Sequence, residues 1–100
     1  MPKRYVLLVA DGELSDGDRR SLSVMLERRH GKVTVIRVEK NPRAVIVKTT
    51  NAVVPLLRET SGELYIDGKR LMTVLTSGSI GKLKSRATGG ETMKDGKVPR

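Results

Sequence analysis

Lys32-Val-Thr-Val-Ile-Arg-Val-Glu-Lys-Asn-Pro-Arg-Ala-Val-Ile-Val-Lys-Thr49 decides the architecture of this chain. Lys32–Lys40 alternates β-branched with polar residues, and Arg43–Thr49 does the same, so both runs read as strands. Asn41-Pro42 between them marks a tight turn with proline preset for its second position. Two strands joined so closely must be antiparallel, because a parallel pair needs a crossover of a dozen residues or more. Expected strands are 33–39 and 43–49.

Upstream, Tyr5-Val-Leu-Leu-Val-Ala10 is apolar at both alternating positions and reads as a central strand covered on both faces. Asp11-Gly12-Glu13 is a turn. Ser15 stands three residues before Asp18, a capping-box-like start that predicts a helix over 16–30, closed by Gly31. Leu22, Met25 and Leu26 form its buried stripe, and Arg20, Val24 and Arg28 an outward one that reads first as a solvated face. His30 reads as a satisfied helix-terminal histidine. Downstream, Thr50-Asn51 can cap a helix over 52–60, with Pro55 tolerated in its first turn. Glu63–Ile66 and Lys69–Leu75 flank Asp67-Gly68, a strong hairpin signal. Along Arg70–Thr76 strict alternation puts Leu71, Thr73 and Leu75 on one face and Met72, Val74 and Thr76 on the other.

The order β-α-β-β-α-β is that of an α+β, ferredoxin-like (RRM-like) two-layer sandwich: an antiparallel sheet with two helices on one face, plus a short C-terminal helix. Residues 1–87 are expected to form a single domain and 88–100 a disordered basic tail. Val33 and Val35 face away from Ile36 and Val38, so the sheet carries more apolar surface than two helices can bury. Either the basic segment after the last strand or a protein partner must cover it; a partner on the sheet or its edge is expected.

Lys and Arg number 20 against 11 Asp and Glu, a formal net charge of +9. Such an excess suits nucleic acid or another anionic surface. There is no cysteine and one histidine, which removes thiolate metal sites and leaves a Ser-His-Asp arrangement unsupported by any motif. The acids Asp11, Glu13, Asp16 and Asp18 sit in a turn and a helix start, where they act as caps. No catalytic residue, metal or cofactor is assigned. No apolar run approaches a membrane span, and a cytoplasmic, membrane-free protein is expected. With only Tyr5 and Tyr65 as aromatics, the base-stacking platform of an RRM is disfavoured, whereas phosphate- and shape-based RNA binding is not.

The last strand runs into Thr76-Ser77-Gly78-Ser79, then Ile80-Gly-Lys-Leu-Lys-Ser-Arg86, a short helix with Ile80, Leu83 and Ala87 on one face and Lys82, Lys84 and Arg86 around it. A Ser/Gly turn opening a helix presents backbone N–H groups to an anion. Lys82, Lys84, Arg86, the turn Ser77, Gly78 and Ser79, and the basic lead-in Lys3 and Arg4 are therefore the RNA-facing candidates, as phosphate contacts rather than base readers.

Lys3-Arg4-Tyr5-Val6, Arg43-Ala-Val-Ile-Val-Lys48 and above all Thr76–Arg86 resemble the ribonuclease P protein component 2 family, the archaeal and eukaryotic Pop-five proteins. The resemblance spans roughly residues 3 to 86, and its specific part is the terminal motif. It implies a non-catalytic protein subunit of an RNA-based endonuclease that removes the 5′ leader of precursor tRNA. It further implies binding to the ribonuclease P RNA and pairing with ribonuclease P component 3. The chain departs from the family pattern in a shorter first helix and hairpin, in having no aromatic residue in that helix, and in Gly81 within the motif. The alternative is a regulatory or assembly domain of the same topology that self-associates through its sheet and binds a small anion.

Overall fold

A computed structural model describes residues 3–31 and 33–88 of the chain. The strands are β1 (Lys3–Ala10), β2 (Thr34–Arg37), β3 (Ala44–Thr50), β4 (Leu64–Ile66) and β5 (Lys69–Ser77). The helices are α1 (Asp16–His30), α2 (Val54–Glu59) and α3 (Ile80–Thr88). All five strands form one curled sheet in the order β2-β3-β1-β5-β4, with every pairing antiparallel. The expected tail lies, except for Thr88 at the end of α3, outside the described residues, as does the Ala87 side chain.

β1 is central because it is apolar on both sides. Val6, Leu8 and Ala10 join one core with Leu22 and Leu26 of α1, Val45 and Val47 of β3, and Val53 and Leu57 beside and within α2. Leu7 turns the other way, into a second core with Val38, Ala44, Ile46 and Leu83 of α3. α1 and α2 thus share a face, and α3 lies across the opposite one. Part of the surplus apolar surface is covered from within the chain: Leu7, Ala44, Ile46 and Leu83 are at most 1 % exposed. A partner on that part of the sheet would have to displace α3.

Several expected boundaries shift. β2 stops at Arg37, and Val38, on the Ile36 side in the second core, already opens the turn that follows. The link to β3 is two consecutive turns rather than one: Asn41 N–H donates to the Val38 carbonyl at 3.2 Å, and Ala44 N–H to the Asn41 carbonyl at 3.1 Å. Pro42 does occupy the second position of the latter turn, where its fixed φ fits. α2 begins only at Val54 and has no side-chain cap; Asn51, read as a cap, instead accepts from Arg4 Nε at 2.6 Å.

β5 departs from strict alternation. Leu7 pairs with Leu75 but Leu8 with Thr73, so Val74 is an extra residue, a β-bulge. Its consequence is that Leu71 lies in the first core and Leu75 packs against the second, although their spacing places them on one face. The Asp67-Gly68 turn has φ of 51° and 76°, the pair of positive values that a type I′ hairpin requires. Gly68→Ala, forced to keep that φ, should cost roughly 1–2 kcal/mol, read as a lower urea midpoint; an unchanged midpoint would mean the turn relaxes freely.

Candidate nucleic-acid interface

Pairing of Tyr5 with Ser77 and of Lys3 with Thr50 brings the start of β1, the end of β5 and the end of β3 to one end of the sheet. Arg4 is half-buried there, anchored through Nε on Asn51. A methyl group on Gly78 would stand 3.2 Å from Arg4 Nη1, so the guanidinium lies close over the glycine. Five of the eight candidates, Lys3, Arg4, Ser77, Gly78 and Ser79, therefore gather at this end.

The turn differs from a free anion cradle in one respect. Ser79 N–H donates to Ser77 Oγ at 3.0 Å. A serine hydroxyl two residues back competes for the amide that a phosphate would take, so this donor is already occupied.

α3 then runs back over the sheet. Ile80 is half-buried and Leu83 fully buried against it, while Lys82, Lys84 and Arg86 are exposed. At 100° per residue Lys82 and Arg86 share one flank as an i, i+4 pair and Lys84 lies on the other. The three cations are thus two groups, not one cluster. Arg86 is carried away from Gly78, to a pocket of about 220 Å³ shared with Leu7, Val9, Asn41, Val74 and Leu75.

The outward stripe of α1 borders an open groove of about 620 Å³, lined by Gly17, Arg20, Ser21, Val24, Met25 and Arg28. Val24 is 45 % exposed there, as its position predicts. His30 departs from expectation: both ring nitrogens are buried and, among the described residues, without a hydrogen-bond partner. The Glu27 carbonyl at that helix end is taken by Gly31 N–H at 2.9 Å.

The carboxylates near the start of α1 have structural work. Asp18 Oδ2 accepts from Ser15 N–H at 3.0 Å, and Ser15 Oγ from Asp18 N–H at 3.1 Å, the reciprocal capping box. Lys69 Nζ of β5 also reaches Asp18 Oδ2 at 2.8 Å, tying the helix start to the β4–β5 hairpin. The Lys69 hydrogen bond first, then the Ser15 N–H, hold the Asp18 carboxyl below the usual carboxylate value; its bond to Asp18 raises Lys69 above the usual lysine value. Because the folded-state pKa of Asp18 is depressed, its stabilisation is present above the unfolded carboxylate pKa and fades as pH falls through the folded value. Wild type should therefore melt above Asp18→Asn at neutral pH, and the gap should close on acidification below pH 3.8. A gap that persists undiminished in strong acid would contradict this role.

Among the described residues no three His, Asp or Glu side chains gather as a metal site, and no helix is long and apolar enough to cross a membrane. The sequence matches no protein-family model and no curated protein.

One group of surface residues, noted in the sequence only as a strand face at Met72 and Val74 and a separate aromatic at Tyr65, lies on one surface of the fold. Tyr65 and Arg70 are cross-strand partners in the β4–β5 hairpin, and Met72 and Val74 follow along β5. Tyr65, Met72 and Val74 are 56, 46 and 59 % exposed. The Tyr65–Arg70 pairing follows from a two-residue loop at Asp67-Gly68, so that much could have been counted from the sequence. That Met72 and Val74 share a face follows from alternation; the bulge, which has no such signal, turns Leu75 to the α3 side instead.

Proposed function

We propose that this chain is a non-catalytic, RNA-binding protein subunit of ribonuclease P that supports the catalytic RNA in 5′ maturation of precursor tRNA. The observation that carries the reading is the β5–α3 junction. There the Ser77-Gly78-Ser79 turn of the motif lies under Arg4, and α3 leads away with exposed Lys82, Lys84 and Arg86. Cations on two chain segments around one turn suit a polyanion with several phosphates better than a single small anion, and the net charge of +9 agrees.

The strand order supports the ferredoxin-like reading. Without β4 the sheet runs β2-β3-β1-β5, and α1 and α2 pack on one face, as two interlocked split β-α-β units require. Arg4 and Lys3 act with the junction as phosphate contacts; Lys82 and Arg86 follow one backbone track and Lys84 a second. Because α3 occupies the sheet face that self-association would use, the pairing with ribonuclease P component 3 is assigned to surface outside Leu7, Ile46 and Leu83. Affinity purification of the full chain under native conditions, followed by sequencing of bound RNA, tests the proposal. Enrichment of one structured RNA, lost at high salt, is expected; recovery of no RNA would overturn the reading.

A further inference from the structure

The sheet face that bears α3 is not fully covered. Beside the helix, toward the β4–β5 hairpin, Tyr65, Met72 and Val74 remain exposed. Tyr65 opposes Arg70, two residues along β5 from Met72, which opposes Val9, and Val74 follows two residues further on. The bulged Val74 borders three adjoining pockets, of about 440, 350 and 220 Å³, and each contains one arginine: Arg70, Arg58 and Arg86 respectively. The one carboxylate lining these pockets is Asp11, whose Oδ1 already accepts from Arg70 N–H at 3.0 Å. An apolar floor with an exposed aromatic ring at its side and three guanidinium groups around it is complementary to a nucleotide. The base offers a π-face to Tyr65 and the apolar floor, and its phosphates offer charge to the arginines.

We infer that this surface is a subsite for an unpaired RNA nucleotide, stacked on Tyr65 beside Met72 and Val74, with Arg70 and Arg86 as phosphate partners. The inference rests on the RNA-binding reading and adds to its phosphate contacts at Arg4 and α3 a strand-selective base contact that shares Arg86 of α3. A paired base has its faces stacked within the helix and cannot lie on Tyr65 without being extruded. The subsite therefore favours loops, bulges and single-stranded ends.

The test compares a mixed-sequence single-stranded RNA oligonucleotide with a fully paired, blunt-ended RNA duplex of equal length, each titrated with the full chain. Tyr65→Leu should weaken single-strand binding by about tenfold or more and leave duplex binding unchanged, whereas Tyr65→Phe should keep wild-type affinity for both. Val74→Asp, which puts a negative charge between the three arginines, should reproduce the loss without touching Tyr65. Equal affinity of wild type and Tyr65→Leu for the single strand, or a Phe variant as weak as the Leu variant, would overturn the inference. Wild type that binds the duplex but not the single strand would remove the subsite and leave the RNA reading standing; binding to neither would remove both. Self-association abolished by Val74→Asp, with RNA affinity unchanged, would reassign the patch to contact between copies and equally overturn it.

Discussion

Leu83→Ala is expected to lower the stability of the domain by about 2–3 kcal/mol. The side chain is fully buried among Leu7, Val38, Ala44 and Ile46, and truncating a buried leucine costs roughly 2–5 kcal/mol. The lower part of that range applies because α3 has nine residues, below the length at which a helix persists in water without docking. Once Leu83 is shortened only Ile80 remains, among the described side chains, to hold α3 by apolar contact, so the helix can release rather than retain a cavity. At roughly 4–8 °C per kcal/mol for a domain of this size, the melting temperature should fall by about 10–20 °C. Amides of α3 should also exchange faster than those of α1. The released face would expose Leu7 and Ile46, and concentration-dependent self-association should appear only in the variant. A loss below about 1 kcal/mol would mean that α3 does not cover the second core.

Replacing Lys82, Lys84 and Arg86 together with alanine should have the opposite profile. Each cation that neutralises a phosphate contributes about 0.7–0.9 to the slope of log affinity against log salt. The triple variant should therefore bind RNA with a slope smaller by roughly 2–3, about equally for all sequences. Their division between two flanks of α3 refines this. Lys82→Ala with Arg86→Ala should remove about 1.4–1.8 of slope if one backbone track meets both, and Lys84→Ala only its own share. Stability should barely move, since exposed charges at a helix contribute tenths of a kcal/mol. An unchanged slope would transfer the RNA surface to Arg20 and Arg28 along the α1 groove.

Those two outcomes rest on features that differ in how far the sequence reveals them. Strand pairing around Asn41-Pro42 and Asp67-Gly68, the capping box of Ser15 with Asp18, and the two helices on one face are all local or periodic signals, and each is found where the residues place it. The coverage of the sheet's second face was open in the sequence. Ile80 and Leu83 are spaced to dock, but a pattern of two residues does not say on what. Strict alternation breaks at Leu75, after the extra residue Val74, because a bulge is a response to the twist and closure of the sheet, carried by no residue type of its own. Asn51 was misread for a related reason. Its cap signal is local, whereas its hydrogen bond comes from Arg4, 47 residues away. Of the candidate site, the motif residues are legible as types and their grouping is not. Lys3 and Arg4 join Gly78 only through the β1–β3 and β1–β5 registers, and Lys84 separates from Lys82 and Arg86 only once the sheet-facing side of α3 is known.

The proposed role beside an RNA catalyst can be measured as cleavage of the 5′ leader from a precursor tRNA by ribonuclease P RNA, at a magnesium concentration where the RNA alone is nearly inactive. Adding the full chain with component 3 should restore cleavage at the mature 5′ end, and the triple variant of Lys82, Lys84 and Arg86 should restore less, most visibly at higher salt. Cleavage that is the same with and without the chain, while component 3 is present in both, would overturn the proposed role.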